Sequence, residues 1–156
     1  MTGTPPRDGV RDDPDIELTF ATEVAAPRSR LFAALTEARH LEHWFCARAS
    51  SDPRPGGDLV MAWDGSGASA EPFRGQWTRV TPPDACGYHG GHAGYPDGNA
   101  GSVTFELEPL AVGTRLRTRH TLPGRPDYEP IATLYRAAWP RALARLVAYL
   151  TPEPTI

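Results

Sequence analysis

The stretch IATLYRAAWPRALARLVAYL, residues 131–150, decides the fold. Its apolar positions Ile131, Leu134, Tyr135, Ala138, Ala142 and Leu143, continued by Leu146, Val147 and Leu150, recur at the three- and four-residue steps of one helix face. Roughly a hundred residues of strand-like and turn-like sequence precede it, so one long terminal helix has to cover an antiparallel sheet. A curved sheet gripping a single helix encloses a hollow, and ligand sites favour concave, mostly apolar hollows with few polar groups. The expectation is an α+β domain in which a long C-terminal helix covers a curved antiparallel sheet and encloses a cavity with it.

Working back from the helix, Val103, Phe105 and Leu107 alternate with polar neighbours, and Leu116, Thr118 and His120 do the same between Arg115, Arg117 and Arg119. The 109–113 turn joins them as a hairpin. Setting Glu108 against Arg115 and Glu106 against Arg117 gives the outer face opposite charges and stacks Leu107 on Leu116, Phe105 on Thr118 and Val103 on His120 inside. Residues 90–101 are rich in Gly, Pro and Asn and read as a long mobile loop rimming the cavity. Further strands are expected at 85–89, at 73–80 around Trp77, and at 58–64, where Leu59, Met61 and Trp63 share a face. Near the N-terminus, Ile16, Leu18, Phe20, Thr22 and Val24 mark a strand with one buried face. Two short helices follow it: one from Pro27 to about Thr36, the other at roughly 38–45, presenting Leu41, Trp44 and Phe45.

Length and composition set limits. The chain has 156 residues, enough for one domain with its own core. Residues 1–14 and 152–156 read as tails around a domain at 15–151. With 16 basic and 19 acidic residues the net charge is -3, which argues against nucleic acid. No leader is read and no apolar run approaches the ~20 residues of a membrane span. The expectation is therefore a cytoplasmic protein, away from membranes, with Cys46 and Cys86 as free thiols, either a monomer or a homodimer.

The ordered motifs resemble the START-like or SRPBCC superfamily, in the branch similar to the activator of the heat-shock chaperone ATPase. They are Ala26-Pro27 with Leu31, Phe32, Ala34 and Leu35; Leu41-Glu42-His43-Trp44-Phe45; and Pro55-Gly56-Gly57-Asp58. Further on come Gly75-Gln76-Trp77 running to Val80-Thr81-Pro82-Pro83; Ser102-Val103-Thr104-Phe105-Glu106-Leu107; Gly113-Thr114-Arg115-Leu116; and Ala138-Trp139 with Leu143 and Leu146. The resemblance implies a helix-grip fold across 16–150. It also implies one of three activities: binding of hydrophobic small molecules, aromatic polyketide cyclase or dehydratase chemistry, or a protein-binding cochaperone role. Two departures stand out: Ala138 replaces the family's usual Gly before the terminal-helix Trp, and Pro140 follows Trp139.

Candidate cavity walls are Trp44, Trp63, Trp77 and Tyr88, joined by Phe105, His120, Tyr135 and Trp139, each on an element whose apolar face should look inward. Core packing is the competing reading for every one of them. His120 is the candidate acid or base, with an intrinsic pKa near neutrality, but Glu106 and Glu108 alternate onto the opposite face and cannot orient it. A satisfied buried histidine is the blander alternative. Cys86, His89 and His92 are spaced C-x-x-H-x-x-H, yet Cys86 and His89 fall on opposite faces of a strand, so no metal is expected, nor any cofactor. Pro140 removes a helical hydrogen bond and leaves the Arg136 carbonyl without its donor, which reads as a bend round the sheet or as an acceptor near the cavity. The leading reading is a cavity that binds a hydrophobic or aromatic small molecule without transforming it, with the cyclase-like enzyme and the chaperone-associated module as alternatives.

Overall fold

The computed structural model describes residues 14–63, 72–92 and 94–152. Nearly all of the expected tails, and most of the expected 65–72 loop, lie outside those residues. Seven strands form one antiparallel sheet: β1 Ile16–Val24, β2 Arg48–Ser51, β3 Asp58–Ala62, β4 Phe73–Thr81, β5 Ala85–Gly91, β6 Asn99–Pro109 and β7 Thr114–Leu122. Their spatial order is β1-β7-β6-β5-β4-β3-β2, so the first strand closes the sheet against the last. Helices α1 (Arg28–Thr36) and α2 (Ala38–Trp44) connect β1 to β2, and α3 (Glu129–Leu150) grips the inner face. This is the helix-grip arrangement.

The local chemistry accounts for these elements. Pro27 sits in extended backbone at the α1 N-cap and its carbonyl accepts from Arg30 and Leu31, both at 3.1 Å. Pro130 opens α3, where a missing N–H costs nothing. The β6–β7 hairpin has the register that its charges and apolar residues dictate: Glu108 opposes Arg115, Glu106 opposes Arg117, and the inner pairs are Leu107–Leu116, Phe105–Thr118 and Val103–His120. On the outer face Glu108 bridges Arg115 and Arg117 at 3.3 and 3.4 Å, and Glu23 of β1 extends the ladder to Arg115.

Three sequence expectations change. The strand β2 reads RASS, too short and polar for alternation to reveal it, and is placed by pairing with β3 from Arg48–Ala62 to Ser51–Leu59. On α3, Leu134 is exposed, whereas Ala132 and Trp139 are buried with Ala142, Leu143, Leu146 and Leu150. The 90–101 segment is in strand at both ends rather than one long loop: β5 runs to Gly91, β6 starts at Asn99, and the connection between them carries a 3-10 turn at Pro96–Gly98.

That short connection is tied down. The Tyr128 hydroxyl lies 2.6 Å from the Pro96 carbonyl and 2.7 Å from that of Asn99, Arg125 pairs with Asp97 at 2.6 Å, and the hydroxyls of Tyr95 and Tyr135 meet at 2.7 Å. Tyr128→Phe should therefore cost about 1–3 kcal/mol by removing the one hydroxyl proton that the two carbonyls share. Denaturant unfolding combined with amide exchange checks this: exchange at Gly98 and Asn99 should accelerate, and unchanged exchange there would remove the anchoring role.

Proline 140 does not interrupt α3, which runs from Glu129 to Leu150. Arg136 and Pro140 are both on the exposed side, so the carbonyl that Pro140 leaves without a donor belongs to the solvent face rather than to the cavity.

Candidate functional site: an apolar cavity under the terminal helix

Between α3 and the sheet lies a cavity of about 130 Å³. Its floor comes from alternating inner-face positions: Met61 of β3, Phe73 of β4, Tyr88 of β5, Val103 of β6 and His120 of β7. Its roof is one face of α3, with Tyr135, Ala138, Trp139 and Ala142 at helical spacing. Phe45 closes one side, and Trp63 and Arg145, both exposed, stand at the opening.

Of the eight wall residues expected from sequence, Trp63, Tyr88, His120, Tyr135 and Trp139 line this space. Trp44, Trp77 and Phe105 do not; they are core. The Trp44 indole donates to the Ala34 carbonyl at 2.9 Å and the Trp77 indole to Ser51 Oγ at 3.0 Å, so each ring fastens a helix or strand. Phe105 lies edge-on to Trp139, with centroids 6.0 Å apart. Sequence reasoning missed Phe45, Met61, Phe73, Ala142 and Arg145 as lining. Phe45 had a signal, because it stacks on both Trp44 (4.7 Å) and Trp139 (5.6 Å) and its neighbour Trp44 was already singled out.

The polar atoms of the cavity are mostly spent on one another. Trp139 Nε1 can only donate, and it donates to His120 Nδ1 at 3.0 Å. His120 must then carry its proton on Nε2, which donates to the Ala100 carbonyl at 2.9 Å. Burial lowers the His120 pKa against a smaller opposing effect of the Ala100 carbonyl, so the ring is neutral. Trp63 Nε1 donates to the Phe45 carbonyl at 2.6 Å, and the Tyr135 hydroxyl is paired with Tyr95. Burial raises the phenol pKa of both Tyr88 and Tyr135, so both keep their protons. Two of the lining residues keep polar groups with no hydrogen bond to another described residue: the Tyr88 hydroxyl and the terminal guanidinium nitrogens of Arg145.

The proposed metal ligands diverge. Cys86 faces the buried interior and His89 the exposed side of β5, and no group of three His, Cys, Asp or Glu close enough to hold a metal occurs among the described residues. Both cysteines are free and buried, and desolvation pushes their thiols up to about 11 for Cys46 and about 12 for Cys86.

A seven-stranded antiparallel sheet wrapped on one long helix over an internal cavity defines a START-like, SRPBCC-type domain. The chain belongs to the family described as Activator of Hsp90 ATPase homolog 1-like protein, whose model matches residues 25–151. Among solved structures it is similar to protein MLL2253 from Mesorhizobium loti, with 23% identity and a TM-score of 0.76 over 86% of this chain and 96% of that one. It is similar to the Aha1 dimer from Colwellia psychrerythraea, with 17% identity and a TM-score of 0.72 over 86% and 96% of the two chains. CalU16 from Micromonospora echinospora matches at 20% identity and a TM-score of 0.70, over 88% and 78%. At such identities the likeness is one of fold. None of the curated proteins matches the chain. Among the described residues, no helix is long and apolar enough to cross a membrane.

Proposed function

We propose that the domain binds a small hydrophobic or aromatic molecule in the cavity beneath α3 and does not transform it. One observation carries this reading: the cavity is walled by Phe45, Phe73, Tyr88 and Trp139, while His120, the one histidine lining it among the described residues, has both nitrogens engaged by Trp139 and Ala100. Acid or base catalysis by this ring needs one of its nitrogens within reach of substrate, with a proton to give or a lone pair to accept one. The cyclase-like alternative, read with His120 as its acid or base, lacks a free ring nitrogen here. For the chaperone-associated alternative, the large exposed apolar side chains among the described residues are Trp63 after β3, Val112 in the β6–β7 turn and Leu134 on α3, three separate segments of the chain. The Colwellia neighbour is described as a dimer, and self-association of this chain is a matter for sedimentation.

The test is a thermal titration with toluene. A dry cavity of roughly 150 Å³ holds benzene, and the space here is of about that size and opens beside Trp63 and Arg145. Toluene should raise the melting temperature of the unmodified chain and leave that of Ala138→Leu, in which the added side chain fills the space, unchanged. Equal shifts in both proteins, or none in either, would reject the cavity as a binding site.

A further inference from the structure

Among the described residues, one cationic group, Arg145, borders the cavity, and the structure gives it a defined pose. Its Nε donates to the Trp44 carbonyl at 3.0 Å, which fixes the guanidinium plane against the end of α2. With Nε taken, the two terminal nitrogens form an end-on fork, the geometry that receives a carboxylate through two parallel hydrogen bonds. Among the described residues, no Asp or Glu oxygen pairs with them. The other guanidinium groups that touch carboxylates do so on the outer surface, as Arg115 does with Glu23 and Glu108, or at the 3-10 turn, as Arg125 does with Asp97. Arg145 differs from these in bordering the cavity mouth opposite Trp63.

Among the described residues, the other side chains lining the cavity are either apolar or internally satisfied, apart from the Tyr88 hydroxyl. That hydroxyl is held neutral by burial and supplies no charge. A ligand's net charge is therefore read at Arg145, while its apolar body is read by Phe45, Phe73 and Trp139. The volume of about 130 Å³ admits one ring.

From this we infer that the ligand is a single-ring aromatic carboxylate, its ring under α3 and its carboxylate on the terminal nitrogens of Arg145. The inference rests on the cavity-binding reading above and adds the ligand's charge and size.

Benzoate and its neutral counterpart benzyl alcohol separate the two readings when titrated by calorimetry into the full chain at neutral pH, where benzoate is ionised. Benzoate should bind about tenfold more tightly or better. Arg145→Gln should abolish that preference and leave benzyl alcohol affinity within about twofold, and Arg145→Lys, which keeps the charge but not the fork, should retain part of it. Retention in the Lys variant with loss in the Gln variant assigns the effect to charge rather than to the lost Trp44 contact. Equal affinity of the two ligands for the unmodified chain overturns the carboxylate and leaves cavity binding standing. Benzoate preference that survives Arg145→Gln overturns the role of Arg145. If neither ligand binds, both readings fall.

Discussion

Truncating Trp139 to alanine should lower the unfolding free energy by about 3–5 kcal/mol, the range for removing a large buried aromatic side chain from a core. Trp139 is 3% exposed and contacts rings from four elements: Phe20 of β1, Phe45 after α2, Phe105 of β6 and His120 of β7, with centroids 5.6 to 6.5 Å away. It thus ties α3 to both the sheet and the helical connection. Truncation also leaves His120 Nδ1 without its donor, which adds to the loss. Trp139→Phe keeps most of the ring packing and should cost only about 1–3 kcal/mol, mainly from that unsatisfied nitrogen. Urea unfolding of the three proteins measures both effects. A loss below about 1 kcal/mol for Trp139→Ala would mean that the indole borders cavity space without supporting the core, contrary to its burial.

How much of this was readable from residues alone follows from what the signals are made of. The hairpin register was legible because its outer face carries opposite charges, so a slip of one residue would bury arginines and expose Phe105 and Leu116. The terminal helix was legible from its spacing, although Leu134 misled, because residues at the edge of an apolar stripe read alike whether or not a partner covers them. The segment 90–101 read as a loop because Gly90, Gly91 and Gly101 carry no strand propensity. They are nonetheless in strands because neighbouring backbone is too close for a larger residue: a Cβ on Gly101 would stand 2.2 Å from the Thr121 carbonyl, and φ there is +82°. The cavity list erred in a different way. Core rings and cavity rings have the same composition, and only the hydrogen bonds of Trp44 and Trp77 to Ala34 and Ser51 separate them from Trp139. Arg145 was invisible because its anchor, the Trp44 carbonyl, is 101 residues away in sequence.

The second large effect concerns His120 and pH. His120→Leu should cost about 1–3 kcal/mol for each of two groups it orphans, the Trp139 indole N–H and the Ala100 carbonyl, whereas His120→Gln offers both a donor and an acceptor and should cost less. The unmodified protein should also lose stability on acidification. The folded pKa of His120 lies below its ordinary value of 6.5 because burial disfavours the charged ring, and a proton on Nδ1 would face the Trp139 N–H. Between that lowered pKa and about 6.5 the unfolded chain therefore binds more protons than the folded one. This contribution is fully present above about pH 6.5 and is lost as pH falls towards the folded value. His40, whose Nδ1 lies 2.7 Å from the Tyr149 hydroxyl, is shifted in the same direction by burial first and by Arg39 second, so it adds a parallel slope. Urea unfolding at about pH 8 and about pH 5.5 separates the two. In both His120 variants the difference between the two pH values should shrink but persist through His40. A His120→Gln protein with the full pH dependence of the unmodified chain would show that this ring accepts a proton in the folded state as readily as in the unfolded one, and the fixed neutral tautomer that excludes it from acid–base chemistry would have to be abandoned.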